Sequence, residues 1–533
     1  MTMPSYIIEL ELHTKKLSYM RLLYCIPLLS IFLLGSCKPS GSEKSAEVAN
    51  KPNIVFLFAD DQTFESIAAL GFEGVHTPNL DRLVNGGTSF THAYNMGGWN
   101  GAICVASRAM IISGSYIWNA QKKSDLWAKG DSTAMEQTWS RLLQKQGYDT
   151  YMTGKWHVKA PAATVFNDAR HIRPGMPGDR GNELGAAIKK WKEESGNMKD
   201  WNDYMPLGYG RPTGPDDTEW SPTDTLQGGF WEGGKHWSEV VRDDALAFLD
   251  LTTKKDDPFF MYLAFNATHD PRQAPQRFLD MYPLENIKVP ENFLPEYPYK
   301  DDMGNPPSLR DEALAPFPRT EYAVKVHRRE YYALLSHMDE QIGIILDSLE
   351  ASGKMDNTYI FFGADHGLSV GHHGLIGKQS MFDHSVRIPM MVVGPGIPKG
   401  KRLDQDVYLQ DIMATSLDLA GVEKPDYVEF NSFMDIIKGE RQQSHYNGVY
   451  GAYIDVQRMI RKDGFKLIIY PKIDKLLLFD MEKDPNEMND LADSPEYREK
   501  VKTLFADLLE LQKTMGDKLD LSDLYNKMYN KAG

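Results

Sequence analysis

Cys104 is the one cysteine of this 533-residue chain that lies beyond residue 37. Cys25 and Cys37 stand near the N-terminus; if both serve export, Cys104 has no intrachain disulfide partner, and its side chain is left free or modified. Arg108 follows four residues later. Elsewhere, polar clusters follow short apolar runs. Asn53–Phe58 is succeeded by Asp60-Asp61, Pro258–Phe265 leads to His269, and Thr358–Phe362 leads to Asp365-His366. Adjacent carboxylates repel unless a cation or basic group neutralises them, and oxygen-rich ligand sets suit hard cations such as calcium or magnesium. For Asp60-Asp61 taken alone, a solvated turn with a helix-capping aspartate serves as well. Lys155, taken alone, reads as a helix-end lysine, and Lys378 as a loop lysine after the glycine-rich Gly371–Gly374. His372 and His373 in that loop are read as solvent-facing rather than metal-ligating.

The elements that must hold these residues follow from hydrophobic pattern. Asn53–Phe58, Pro258–Phe265, Thr358–Phe362 and Ile388–Val393 are continuous apolar runs, as in strands buried on both faces of a parallel sheet. Helical periodicity over Glu239–Leu251 and Tyr331–Leu349 lies between them. The alternation predicts an α/β fold with a large mixed, mostly parallel central sheet flanked by helices. In open sheets of this kind, ligands bind beyond the carboxyl ends of the strands, where the polar clusters fall. From about residue 441 the runs shorten, at Gly448–Gly451, Arg458–Ile460, Lys466–Tyr470 and Leu476–Asp480, which predicts a smaller antiparallel sheet with a terminal helix over Tyr497–Met515. Residues 160–235, rich in Gly, Pro, Asp and Trp, read as long surface loops.

Lys and Arg total 59 against 74 acidic residues, a net charge of −15 that argues against a general nucleic-acid binder. It leaves room for an anionic substrate in a local basic pocket. At the N-terminus, the apolar run Leu22–Leu34 follows Arg21 and is shorter than the ~20 residues that span a bilayer. It ends in Leu34-Gly35-Ser36-Cys37, which resembles a bacterial lipobox. Residues 1–37 are therefore read as a signal peptide, with the start at Met20, and Cys37 as a lipid-anchored residue. Residues 38–50 are a linker, 51–440 a catalytic domain and 441–533 a C-terminal α+β subdomain. The expected location is the periplasm or outer membrane.

Cys104-Val105-Ala106-Ser107-Arg108 matches the sulfatase signature, in which a cysteine or serine stands two residues before proline or alanine and four before arginine. Gly147-Tyr148 through Gly154-Lys155-Trp156-His157 resembles the second signature of that family. Thr77–Leu83, Asp60-Asp61, Gly363–Gly367, Gly377-Lys378 and Asp480–Glu487 continue the likeness from about residue 51 onward. By these motifs the chain resembles the formylglycine-dependent sulfatases of the alkaline phosphatase-like superfamily.

The resemblance implies that a separate formylglycine-generating enzyme oxidises Cys104 to 3-oxoalanine, with Arg108 needed for recognition and for holding the site. A hydrated aldehyde offers one hydroxyl to attack sulfur and a second whose deprotonation expels sulfate, which a serine cannot do. It further implies one calcium ion held by Asp60, Asp61, Cys104, Asp365 and His366, sulfate contacts from Lys155 and Lys378, a base or orienting role for His157, and leaving-group protonation by His269. Histidine at 366 stands where many relatives carry asparagine, and alanine at 106 is the allowed variant. The expected substrate is a sulfated carbohydrate. A phosphonate monoester or phosphodiester hydrolase of the same superfamily is the close alternative, and an inactive glycan-binding lipoprotein the remote one. Trp231, Lys235, His236 and Arg211 are expected to grip the sugar, by their stacking and cationic groups.

Overall fold

The structure is a computed structural model that describes residues 51–175, 181–206, 209–217, 220–225, 229–230 and 234–529. The leader with Cys25 and Cys37, and Trp231, lie outside the described residues. Fourteen strands are present among them: β1 Asn53–Ala59, β2 Thr88–Tyr94, β3 Gly97–Gly98, β4 Asp149–Lys155, β5 Asp168–Arg173, β6 Phe259–Ala264, β7 Thr358–Ala364, β8 Arg387–Val393, β9 Lys401–Leu403, β10 Val407–Tyr408, β11 Val449–Tyr453, β12 Gln457–Lys462, β13 Phe465–Tyr470 and β14 Lys475–Asp480.

Nine strands form the large sheet, in the order β10-β2-β8-β7-β1-β6-β4-β5 with β9 beside β2. The sequence runs read as buried strands lie at its centre, and every residue of β1 and of β6 is buried. β1 pairs in parallel with β7 and β6, and β4 pairs in parallel with β6 and β5. Only β8 runs antiparallel to its neighbours β7 and β2. The expected mixed, mostly parallel sheet is therefore the one found.

Register decides where chemistry sits. Ala59 faces Ala364, Phe58 faces Ala264, and Gly154 faces Ala264. The residues that follow, Asp60, Asp365 and Lys155, consequently leave the sheet at one edge. Gly154 makes the last step possible: its φ is +89°, and a Cβ there would lie 1.9 Å from the Ala264 carbonyl oxygen.

Helices flank this sheet. Trp237–Thr252 and Glu321–Ala351 pack on each other, and the second begins ten residues before the apolar periodicity does. Residues 160–235 are not only loops: they hold β5 and the helix Gly181–Glu194, on which Leu184, Ile188 and Trp191 are buried at helical spacing. Those three apolar positions are diluted by Gly, Lys and Glu, which hid the period.

The five-stranded sheet has the order β14-β13-β12-β11-β3. β11 to β14 form an antiparallel meander, while β3 adds from far upstream in parallel with β11. The helix Arg498–Met515 covers this sheet through Val501, Leu504, Phe505 and Leu508. Among the described residues, no helix is long and apolar enough to cross a membrane.

Candidate active site

The helix Ile103–Ser113 is buried at every position, and Cys104 lies in its first turn. Arg108, one turn on, shares its face. Its guanidinium donates from Nε to Asp365 Oδ2 at 3.0 Å and from Nη1 to the Lys155 carbonyl at 2.6 Å, with Nη2 3.5 Å from Asp60 Oδ1. The Phe58 ring lies 4.5 Å beneath it. One arginine thus ties together the ends of β1, β4 and β7, and its planar fork suits three partners in a way a lysine would not.

Around the Cys104 sulfur the predicted residues converge. His366 Nε2 lies 3.2 Å from Sγ, Lys155 Nζ 3.5 Å and Lys378 Nζ 3.6 Å. Lys155 pairs with Asp60 Oδ2, and Lys378 donates to both oxygens of Asp61 at 2.9 Å. His366 Nε2 is also 3.2 Å from Asp61 Oδ1. All these side chains are buried. Burial pushes the Cys104 thiol up, but the ammonium groups of Lys155 and Lys378 outweigh it and hold the thiol below its ordinary range. Burial likewise raises Asp61, and Lys378 and His366 only partly offset that.

Donor atoms of Asp60, Asp61, Cys104 and His366 all lie within 4.8 Å of one another, a group able to hold a metal ion. Asp60 Oδ1 is buried without a hydrogen-bond partner, and two carboxylates with one imidazole fit a divalent cation. Asp365 stands slightly apart. Its Oδ1 accepts the Asp61 and His366 backbone N–H groups at 3.1 Å each and lies 3.6 Å from His366 Nε2, while Oδ2 takes Arg108. It anchors the two neighbouring ligand candidates by their backbones. Asp61 sits at φ 60°, a left-handed conformation that Asp tolerates better than most residues, and Tyr331 donates its hydroxyl to the Asp61 carbonyl at 3.2 Å.

His269 reaches the cluster from the segment after β6, with Nε2 3.7 Å from Asp61 Oδ2. Its Nδ1 lies 2.9 Å from the Asp270 carbonyl and 3.2 Å from Asp270 Oδ1, so Nδ1 carries the proton and Nε2 faces the centre. Asp270 is in turn held by Arg310, whose Nη1 donates to Asp270 Oδ1 at 2.6 Å and to Asp311 Oδ1 at 3.0 Å. Sequence reading missed this pair: Asp270 follows His269 directly, but Arg310 lies forty residues on in a long loop and carries no local signal. His157, two residues beyond Lys155, has φ 52° and a buried Nδ1 without a hydrogen-bond partner. Burial and the charge of Lys155 lower it to about 3, so it is a neutral imidazole at pH 7.

The residues expected to grip a sugar fare differently. Arg211 is fully buried, donates from Nε to Glu330 at 2.9 Å and stacks on Trp220. His236 is buried and caps the helix Trp237–Thr252 by accepting the Ser238 N–H, with Nε2 on the Gln273 carbonyl. Both belong to the interior. Lys235 is exposed and paired with Asp243 at 2.6 Å. His372 and His373 are buried rather than solvent-facing: His372 stands between Asn292 and Glu65, and His373 beside His384 and the Glu487 carbonyl.

Comparison with known proteins places this geometry. The sulfatase family profile matches residues 52–422, and a profile for the C-terminal part of N-sulphoglucosamine sulphohydrolase matches 371–514. An arylsulfatase of Clostridium perfringens is 29% identical over 85% of this chain and 92% of its own length. An N-acetylglucosamine-6-O-sulfatase of Bacteroides thetaiotaomicron is 26% identical over 92% and 91%. Among solved structures, a protein in complex with its substrate D-glucosamine-2-N,6-O-disulfate superposes with TM-score 0.64 at 24% identity, covering 88% of this chain and 99% of that one. A phosphonate monoester hydrolase of Agrobacterium radiobacter superposes with TM-score 0.64 at 18% identity, covering 87% and 96%.

Proposed function

The chain belongs to the sulfatase family and is a sulfuric ester hydrolase, and on that premise we propose that it removes sulfate from a sulfated sugar or glycan through a formylglycine formed at Cys104 beside a bound divalent cation. The observation that carries this reading is the single buried point where Cys104 Sγ meets Asp60, Asp61, His366 and two ammonium groups. The substrate class is supported by the named glycan relatives, and the formylglycine by Cys104 and Arg108 standing in the signature spacing.

Asp60, Asp61 and His366, with Asp365 behind them, would hold the cation, calcium by preference for their oxygens; bound there, it polarises the sulfate and favours an ionised nucleophile. Lys155 and Lys378, already aimed at position 104, neutralise the sulfate oxygens as charge builds on them. His269 Nε2 would hand a proton to the departing alcohol oxygen. Burial and the Lys378 and Lys155 ammonium groups hold the ring well below its ordinary range; the Asp270 carboxylate, with the sulfate charge that would offset the two lysines, favours the doubly protonated ring that this requires. His157, neutral beside Lys155, would accept the proton that frees sulfate from the modified side chain, against the burial and the Lys155 charge that lower its basicity. Arg108 keeps three strand ends in register while this happens. Export as a lipoprotein anchored at Cys37, with residues 38–50 as tether, is part of the same proposal.

Mass analysis of the tryptic peptide around Cys104 from the native host, paired with a desulfation screen over sulfated sugars, tests the reading. The expected peptide has sulfur and two hydrogens replaced by one oxygen. An unmodified thiol together with no sulfate release from any sugar overturns it. The phosphonate hydrolase alternative draws on the shared fold; faster turnover of an aryl phosphonate than of an aryl sulfate with the same leaving group would favour it.

A further inference from the structure

A cleft of about 560 Å³ lies against Trp99, outside the cluster of catalytic candidates. Its walls come from three distant parts of the chain. Trp99 lies on the strap between β3 and the Cys104 helix, Trp118 and Lys122 on the helix Ile117–Ala128, Ile454 on the turn between β11 and β12, and Lys518 on the turn after the helix Arg498–Met515. The volume falls in the range of about 300–1,000 Å³ typical of small-ligand sites.

The walls are prepared. Trp118 is half-buried, donates its indole N–H to Tyr450 Oη at 3.2 Å, and carries the Arg458 guanidinium 5.2 Å from its ring. Arg458 is itself fixed by both oxygens of Asp517, at 2.6 and 3.0 Å. Ile454 presents an exposed apolar side chain from a left-handed backbone at φ 45°, a conformation strained for a β-branched residue. Asp517 is neutralised by Arg458 and Asp455 by Lys472. Lys122 and Lys518 are exposed and enter no ion pair among the described residues, Lys122 donating only to Asn119 Oδ1 at 2.9 Å, and Asp125 is the one acidic residue of the lining outside an ion pair there. The Trp99 and Trp118 indoles for the apolar face of a ring, the Gln121 amide and Asp125 carboxylate for hydroxyls, and the Lys122 and Lys518 ammonium groups for an anionic substituent make a set suited to a sulfated sugar.

We propose that this cleft is a second saccharide subsite, holding a sulfated sugar unit of the same glycan whose ester is cleaved at position 104; the inference rests on the glycan-desulfation reading. Chain geometry supports the pairing. The five residues from Trp99 to Cys104 span at most about 18 Å, within reach of an oligosaccharide, and the strap is tied to the catalytic cluster where Gln379, next to Lys378, donates to the Gly101 carbonyl at 3.0 Å.

The test compares a sulfated monosaccharide with a sulfated oligosaccharide of the same sugar, using wild type, Trp118→Ala and Lys518→Glu. Lys518→Glu is the informative variant if Trp118→Ala fails to fold, because Lys518 is exposed and makes no ion pair. The expected result is a rise in KM of about tenfold for the oligosaccharide with kcat unchanged, and unchanged constants for the monosaccharide. Tryptophan fluorescence is read in parallel, with Cys104→Ala protein titrated with sulfated and desulfated oligosaccharide; the expected quenching by the sulfated form is weakened by Lys518→Glu. Unchanged oligosaccharide KM in Lys518→Glu, or equal loss on both substrates, overturns the subsite. If wild type releases sulfate from neither substrate, the desulfation reading fails, and the fluorescence titration still decides the cleft.

Discussion

Asp270 is not among the side chains that meet at Cys104, yet it decides which nitrogen of His269 faces the centre. Asp270→Asn should therefore act through the ring's protonation rather than through binding. The expected result is a loss of kcat on the order of 10- to 100-fold for an alkyl sugar sulfate, whose leaving oxygen needs a proton, and little loss for an activated aryl sulfate. Steady-state kinetics over a series of leaving groups checks it; an equal loss across the series removes the role. At this scale the sequence was most legible where motif and chemistry coincide. Asp60, Asp61, Lys155, Lys378 and His366 meet around Cys104, and Arg108 and Asp365 brace that cluster from behind. The Asp270–Arg310 pairing and the engagement of both Asp365 oxygens are products of tertiary contact, and no local pattern announces them.

Among elements, β4 carries the heaviest constraint. Gly154 lets the strand turn at its last step, where its register with β5 shifts, so that Lys155 swings toward Asp60. Gly154→Ala would drive a methyl group into the Ala264 carbonyl. The expected outcome is roughly 1–3 kcal/mol lost in denaturant unfolding and on the order of 100-fold lost in kcat, since a displacement of about 1 Å suffices for that. A second prediction concerns Asp339 on the helix Glu321–Ala351, which accepts the Asn79 and Leu80 backbone N–H groups at the start of the helix Pro78–Gly86. Burial raises its carboxyl to about 6, against the pull of those hydrogen bonds. That lies above the value of about 3.9 in an unfolded chain, so the folded state binds the proton more tightly. This contribution is complete below about pH 4 and is lost as pH rises through about 6, an amount of roughly 2–3 kcal/mol. Urea unfolding between pH 4 and 7 should show that slope in wild type and a flatter one in Asp339→Asn. Apolar strands β1, β6, β7 and β8 were legible from composition alone. β2 (Thr-Ser-Phe-Thr-His-Ala-Tyr) and β4 (Asp-Thr-Tyr-Met-Thr-Gly-Lys) were not, because polar residues interrupt their apolar runs; several of these hydroxyls find partners only in three dimensions, as Thr88 does with the Pro398 carbonyl at 2.9 Å and Thr153 with Asp244 at 2.6 Å.

Across the whole molecule, the acidic cluster is assembled from the ends of two neighbouring strands, β1 and β7, so an ion bound there clamps the sheet's centre. Calcium should raise the unfolding temperature, by the equivalent of about 2.7 kcal/mol at a concentration 100-fold above its Kd. Calorimetry with calcium and with chelator checks this, and Asp61→Asn should blunt the response. The two-sheet organisation was legible in the sequence, but the link between the sheets was not: β3 is two glycines long, and Gly97, at φ +83° with Ala452 oxygen 2.1 Å from where a Cβ would sit, reads in sequence only as a turn. The same assembly encloses Cys104, which is 2% exposed in a helix with no solvent-facing position. On the proposed function, a catalyst that rewrites that side chain would find no door in the finished fold. It would have to meet the segment Cys104–Arg108 as open chain, before the fold closes, so how fast this helix docks would set how long the opportunity lasts.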